Sequence, residues 1–276
     1  MRSALVTGAS TGIGRATALR LDAAGWRVFA GVRKEEDATA LREAGSERLL
    51  PLILDVTDSG QIAAAAARVE AEAGGGLDGL VNNAGVAVPG PLETLAIEDF
   101  RHQIEVNMTG HVAVTQALLP AIRSARGRIV FISSIGGRVA LPLTGAYHAA
   151  KFGIEAVGDV FRQELRPWGI SVSIVEPGSI DTPIWERGER TADELRTAER
   201  ETLYGKAVEG YRKAIRETAE RGIPPEQAAK AIEHALTSGR PRARYLVGLE
   251  ARVAARAKLL IPTRIFDRIV TRKMNL

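Results

Sequence analysis

The sequence predicts a single α/β domain, a doubly wound parallel sheet with helices on both faces. Three observations carry that expectation. Strand-length apolar runs alternate with helical patterns, a glycine-rich turn follows the first strand, and no repeat or low-complexity linker divides the chain. Strands are expected at 2–6, 27–32, 49–54, 77–81, 128–133, 170–175 and 243–247. Helices are expected near 13–24, 35–44, 59–73, 97–123, 146–166, 191–220 and 225–237. A length of 276 residues suits one such domain over 1–250, with 251–276 as an extension of the same domain.

Composition removes several kinds of chemistry. The chain has no cysteine, so disulfides, thiolate metal sites and thiol nucleophiles are excluded. Its four histidines, His102, His111, His148 and His234, are scattered, and no metal site is expected. The first strand starts at residue 2, leaving no room for a signal peptide, and no long apolar run suits a bilayer span. A cytoplasmic protein is expected. A net charge of +4 and a pI near 9.6 reflect an arginine-heavy balance spread along the chain until its tail. With no concentrated patch or recognition motif, no nucleic-acid partner is expected.

Taken in order, the first strand leads into Thr7-Gly8-Ala9-Ser10-Thr11-Gly12-Ile13-Gly14 and then a helical pattern. Gly8, Gly12 and Gly14 permit a tight turn and close approach of a pyrophosphate to the helix N-terminus. The second strand ends at Val32-Arg33-Lys34, where an acid would suit free ribose hydroxyls and a base suits a 2′-phosphate. Arg33, assisted by Ser10 or Lys34, therefore predicts NADP(H) in preference to NAD(H). Asp58 suits a helix N-cap. Asn82-Asn83-Ala84-Gly85 is a turn whose small residues let a ligand pass close, and Gly74-Gly75-Gly76 ends a helix. Asn107 lies inside a long helical pattern, where an asparagine lowers helix propensity. Pro177-Gly178 forms a turn at the C-terminal end of the sixth strand, where ligands bind in open α/β sheets.

The segment from Ser134 to Lys151 carries the chemistry. Tyr147 and Lys151 stand four residues apart, so on a helix they share one face. A free phenol titrates near pH ~10, and an ammonium beside it lowers that value toward the range useful for acid–base work. Ser133 and Ser134 close the preceding strand, and alternation puts them on opposite faces. Either hydroxyl is a candidate to bind a reacting oxygen.

These motifs, in this order over residues 1–182, resemble the short-chain dehydrogenase/reductase family. The resemblance rests on the Thr7–Gly14 turn, Asn82–Gly85, Asn107, Ser134 with Tyr147 and Lys151, and Pro177-Gly178 with Thr182. It implies a Rossmann-like fold and hydride transfer between a nicotinamide and a carbonyl. By resemblance, Ser134, Tyr147, Lys151 and Asn107 form the catalytic set. Tyr147 is the general acid/base, Ser134 rather than Ser133 binds the reacting oxygen, and Lys151 binds the nicotinamide ribose. Asn107 kinks its helix and holds a water that relays protons to Lys151. The cofactor set is Gly8, Ser10, Thr11, Gly12, Ile13, Gly14, Arg33, Asp55, Val56, Asn82, Ala84, Gly85, Tyr147, Lys151, Pro177, Gly178, Ile180 and Thr182. Within it Asp55 meets the adenine, and the Ile180 backbone and Thr182 hydroxyl hold the carboxamide and phosphates. His102 and His111 are read as polar or interface residues, and His148 as a rim residue without a role.

The resemblance further implies a substrate lid over about 184–221, within which Trp185, Leu203 and Tyr204 are candidates for apolar contacts, with core packing as the equal alternative. Helices 97–123 and 146–166 are expected to assemble a homodimer or homotetramer. Val32-Arg33, the extended C-terminus and Tyr245-Leu246-Val247-Gly248 look like the hydroxysteroid and retinol dehydrogenase branch, implying an apolar ketone or secondary alcohol. The alternative is a non-catalytic NADPH-binding sensor or scaffold, against which the intact Ser134, Tyr147 and Lys151 argue. The tail from Ala251 mixes Leu259, Leu260, Ile261, Ile265, Phe266, Ile269 and Val270 with Arg252, Arg256, Lys258, Arg264, Arg268, Arg272 and Lys273. Capping of the pocket or docking on a partner subunit is the favoured reading, and contact with a membrane surface the lesser one.

Overall fold

The computed structural model describes residues 1–184 and 198–276. Seven parallel strands form one sheet in the order β3-β2-β1-β4-β5-β6-β7. They are β1 (Ser3–Val6), β2 (Arg27–Val32), β3 (Leu49–Ile53), β4 (Gly79–Asn82), β5 (Arg128–Ile132), β6 (Ser171–Pro177) and β7 (Arg244–Val247). Alternation along each strand feeds two cores. Ala4, Val6, Val28 and Ala30 face one side, where α1 (Gly12–Ala23), α2 (Glu35–Ala44) and α8 (Pro225–Thr237) pack. Leu5, Phe29, Leu80 and Phe131 face the other, covered by α3 (Ser59–Glu72), α5 (Gly110–Ala125) and α6 (Gly145–Glu164). Burial on both faces explains why the strands read as continuous apolar runs.

Local signals set most boundaries. Asp58 caps α3, its carboxylate accepting the Gly60 and Gln61 N–H groups at 2.8 and 3.0 Å. Positive φ at Gly74 and Gly75 follows the end of α3. Two expectations shift. The fourth strand runs two residues later at its start and takes in Asn82, which pairs with Phe131. The long helix expected at 97–123 is three pieces: α4 (Ile97–Ile104), a π-helical turn at Glu105–Thr109, and α5. The wider turn is centred on the wholly buried Asn107.

Beyond the sheet, α7 (Ala198–Glu220) begins where the described residues resume, so Trp185 and the first part of the expected lid lie outside them. The tail forms α9 (Leu249–Leu260) and α10 (Thr263–Lys273), with Pro262 at the break. No helix among the described residues is long and apolar enough to cross a membrane.

His111 on α5 is wholly buried rather than at a surface, and its Nε2 lies 2.7 Å from the Ala84 carbonyl. Burial, reinforced by the Lys151 charge, lowers its pKa from 6.5 to about 3. The unfolded chain therefore takes up a proton that the folded chain refuses. Stability from this group is complete above about pH 6.5 and declines as pH falls below it, by about 2 kcal/mol at pH 5. The lowered pKa of the buried His148 acts in the same direction. Denaturant titrations at pH 7 and 5 are expected to show a smaller loss in His111→Gln, whose amide still donates to Ala84. An equal loss in both proteins removes His111 as a cause.

Candidate active site

The sheet order reverses between β1 and β4, and the crevice opens at the C-terminal ends of these strands, where open α/β sheets bind ligands. Thr7 stitches the two strands together. Its hydroxyl accepts the Asn83 and Ala84 N–H groups, both at 2.9 Å, and Asn83 Nδ2 donates to the Thr7 and Gly8 carbonyls at 2.9 and 3.0 Å. The turn is then too tight for side chains. Gly8 and Gly12 have φ of 62° and 54°, and a Cβ on Gly8 would stand 2.8 Å from the Ala84 Cα. A Cβ on Gly14 would run into the Gly8 carbonyl, so this glycine serves the packing of helix on turn. Thr11, at the N-cap of α1, makes no side-chain cap, and the first turn of α1 carries no acid. Unsatisfied N–H groups and a positive helix end facing a glycine cradle fit a pyrophosphate.

A cleft of about 440 Å³ runs from this cradle along the strand ends. Of the expected cofactor residues it brings together Gly8, Ser10, Thr11, Gly12, Ile13, Arg33, Asp55, Val56, Ala84, Gly85, Tyr147, Lys151, Pro177, Gly178, Ile180 and Thr182. Gly14 and Asn82 do not line it. Asn82, as the last residue of β4, turns its amide into the core and donates to Thr115 Oγ1 at 2.8 Å. Its neighbour Asn83 takes the lining position instead. At the far end, Arg33 stands at the end of β2 beside Asp55. Burial of the Asp55 carboxyl is outweighed by hydrogen bonds from Thr57 and by the Arg33 charge, so its pKa is lowered. His102 and Asp99 of α4 also line this end.

At the opposite end, α6 presents Tyr147 and Lys151 on one face, with Ser134 across from them at the end of β5. Lys151 is 5% exposed, and its ammonium donates to the Ile132 carbonyl at 2.8 Å. Burial lowers its pKa to about 8, against the pull of Glu155 one turn along the helix. The phenol of Tyr147 departs from expectation. Burial raises its pKa, and the opposing effect comes from its hydrogen bond with Ser134 rather than from Lys151. The Lys151 Nζ lies 5.7 Å from the Tyr147 ring centroid, over the ring.

Ser134 also accepts the Gly136 N–H at 3.0 Å, which fixes its hydroxyl toward Tyr147. Ser133 faces away toward Gly137 and Glu155, as strand alternation requires. His148 is no rim residue. It is buried, with Nδ1 2.8 Å from the Gly136 carbonyl and Nε2 2.9 Å from Thr144 Oγ1. It ties the turn carrying Ser134 to the start of the helix carrying Tyr147.

Asn107 does not line the cleft either. Its amide grips the loop after β4, with Oδ1 accepting the Val86 N–H and Nδ2 donating to the Val86 carbonyl, both at 2.9 Å. One turn earlier Gln103 does the same, accepting from Val88 N–H at 2.7 Å and donating to Val86 at 2.9 Å. Gln103 was not anticipated, although two amides four apart on an otherwise amphipathic helix are a readable signal. Val86, Ala87 and Val88, which the pair positions, form an apolar wall of the cleft.

Beneath Lys151 lies a chain of alternating charges. Arg244 Nε lies 3.1 Å from Glu155 and 3.3 Å from the wholly buried Glu176, and its Nη2 lies 2.7 Å from Asp159. Arg138 completes Glu176 with a second guanidinium, Nη2 to Oε1 at 2.7 Å. These contacts brace α6 against the ends of β6 and β7.

The His148 clasp leads to a direct test. His148→Phe leaves the Gly136 carbonyl without its partner, while the Thr144 hydroxyl keeps the Leu141 carbonyl, and the loss costs about 1–3 kcal/mol of stability. Because the turn carrying Ser134 loses its tie to α6, kcat is expected to fall about tenfold while nucleotide affinity stays within about twofold. Equal losses in both would place His148 in general packing.

Comparison with known proteins agrees with this geometry. The family profile described as short chain dehydrogenase matches residues 2–193. An NADPH-dependent 3-dehydrocapnine reductase of Ornithobacterium rhinotracheale is 36% identical over 275 residues, covering 98% of this chain and 96% of its own. Retinol dehydrogenase 7 of Rattus norvegicus is 39% identical, covering 96% of this chain and 86% of its own. Among solved structures, a short chain dehydrogenase from Burkholderia cenocepacia in complex with NADP superposes with a TM-score of 0.75 at 28% identity, over 98% of this chain and 100% of that one. The chain thus belongs to the short-chain dehydrogenase/reductase family of oxidoreductases, in the branch that holds retinol and hydroxysteroid dehydrogenases.

Proposed function

We propose that this oxidoreductase uses NADP(H) to interconvert an apolar ketone and its secondary alcohol. The single observation that carries the reading is the convergence of Ser134, Tyr147 and Lys151 at one end of the cleft that begins at the glycine cradle. A bound nicotinamide supplies or accepts the hydride. Tyr147 gives a proton to the carbonyl oxygen in reduction and takes it back in oxidation. Ser134, its hydroxyl already directed at the phenol, holds that oxygen and stabilises charge as it develops there. Lys151, with a pKa near 8, carries a proton that it can yield or regain at neutral pH. Asn107 acts through the loop at Val86, and a relay water at this point would rest on its main chain, since its amide already grips Val86.

Arg33 at the end of β2, with no acid in its place, supports the preference for a 2′-phosphate, as do the NADPH-dependent relative and the NADP-complexed neighbour. The wall of Val86, Ala87, Val88 and Ile184 supports an apolar substrate, and the retinol and steroid dehydrogenase relatives point the same way. Leu203 is exposed and the Tyr204 hydroxyl bonds to Glu93, so neither supports an apolar contact in this arrangement. Phe152 and Val160, exposed on α6, support assembly through that helix.

Two measurements test the reading. Tyr147→Phe is expected to lower kcat at least about 1000-fold while leaving NADPH binding within about twofold; turnover retained would refute the acid/base role. In fluorescence titrations, Arg33→Ala is expected to weaken NADPH about 10–100-fold and NADH by less than about threefold. An unchanged ratio between the two nucleotides would leave Arg33 as an ordinary loop residue.

A further inference from the structure

The charge of this chain is divided unevenly. After Glu250 the tail holds seven arginines and lysines against Asp267, a net +6, whereas the whole chain carries +4. Residues 1–250 therefore sum to −2 (4 − 6), and the positive character of the protein resides in its last two helices. The same helices leave large apolar side chains in water. Leu259 and Leu260 are each 81% exposed, and Leu249, Val253, Ile265 and Ile269 are exposed with them. Leu249, Val253 and Leu260 recur at helical spacing on α9, and Ile265 and Ile269 do so on α10. Opposite faces are satisfied within the fold. Ala251 and Ala255 of α9 are buried, and Val270 and Met274 pack with Leu143 and α7. Capping thus accounts for the inner face of the tail and leaves the outer face unexplained.

We infer that α9 and α10 together form a surface that docks the protein onto an anionic lipid bilayer, with the exposed leucines and isoleucines entering the headgroup–acyl boundary and the arginines and lysines pairing with lipid phosphates. The chemistry of the patch selects this occupant. Apolar side chains flanked by cations match a layer that is apolar within and negative at its rim. A second copy of the chain fits poorly, because a two-fold interface sets this cationic face against itself. A nucleic acid would use the cations and leave the leucines in water. No helix of the described residues is long and apolar enough to span, so the contact is peripheral. The inner face of α10 packs beside Leu143, and Thr144 and the helix of Tyr147 follow it directly, so the docked surface adjoins the catalytic end of the cleft.

Vesicle sedimentation of the full chain tests this without nucleotide or substrate, so its result is separate from that of the hydride-transfer reading. On vesicles of phosphatidylcholine with about one-third phosphatidylserine at low salt, the bound fraction is expected to exceed that on pure phosphatidylcholine about tenfold and to fall as salt rises to ~0.5 M. Leu259→Ser with Leu260→Ser should reduce it about tenfold, and Arg268→Glu with Arg272→Glu should remove the preference for anionic lipid. Both variants should keep the circular dichroism and Tm of the parent, since these side chains stand in solvent. Absence of binding to anionic vesicles at low salt overturns the inference. So does unchanged binding in the double serine variant, which would reduce the attraction to that of the arginines and lysines alone, with no leucine entering the bilayer. A dimer that this variant dissociates, read by analytical ultracentrifugation, would overturn it in favour of a second copy.

Discussion

An ammonium with 5% exposure is the constraint around which this site is built. Lys151 must lose water to stand beneath the cleft, and burial penalises its charged form. What restores that form is arranged in shells. The Ile132 carbonyl at the end of β5 accepts a hydrogen bond from it, and Glu155 one turn away supplies the opposing charge. Glu155 is itself half-buried, so burial raises its pKa and the nearby Glu176 raises it further, while Arg244 holds it down. Arg138 then answers Glu176. The result alternates in sign from Lys151 to Arg138, and removing Glu155 leaves the Lys151 ammonium buried without its opposing charge. On the other side His111 stays neutral because it is buried, and the same ammonium standing near it reinforces the effect. A pKa near 8 for Lys151 is the outcome of this balance.

That balance also explains why the simple expectation about Tyr147 fails. A lysine four residues along a helix lowers a phenol pKa only if its charge reaches the oxygen through little else. Here the ammonium is directed to Ile132 and lies over the ring, while the hydroxyl meets Ser134. The proton donor is consequently a phenol held neutral by burial, hydrogen-bonded to the serine that would share the substrate oxygen. For reduction of a carbonyl this is a suitable resting form, since the phenol must begin with its proton.

The fold was legible because a parallel sheet buried on both sides writes itself as separated apolar runs, and because Asp58 and Gly74-Gly75 are punctuation with a local mechanism. Residues whose task is set by the main chain were legible as well. Gly8 and Gly12 are forced by positive φ and close approach, and the Arg33 position follows from the end of β2. The misplacements share one cause, which is that polar side chains near a strand end or within a helix have two destinations. Asn82 and Asn83 are adjacent and identical, yet pairing of Asn82 with Phe131 fixes the alternation and sends only Asn83 to the cleft. His148 sits beside Tyr147 in sequence, but the preceding turn curls back to place Gly136 against its ring. Gln103 and Asn107 interrupt an amphipathic pattern for the sake of a loop some twenty residues earlier, and that partner is set by tertiary structure.

The same reasoning separates the two faces of the tail. In the body of the protein Arg138 and Arg244 have carboxylate partners. The seven cations of α9 and α10 stand against two acids, Glu250, which is engaged by the Ser179 hydroxyl, and Asp267, and beside them Leu259 and Leu260 leave most of their surface in water. Burying Leu259 and Leu260 in apolar surroundings would stabilise by about 1.5–3 kcal/mol each, so leaving both in water forgoes a gain comparable to a large share of a domain's net stability. The inner positions of the same helices, Ala251, Ala255 and Met274, show that the segment can bury apolar groups where the fold offers a surface. An outer face that combines unburied leucines with unpaired formal charge is therefore not explained by folding of the isolated chain. It is explained by a second phase that is apolar within and negative at its boundary.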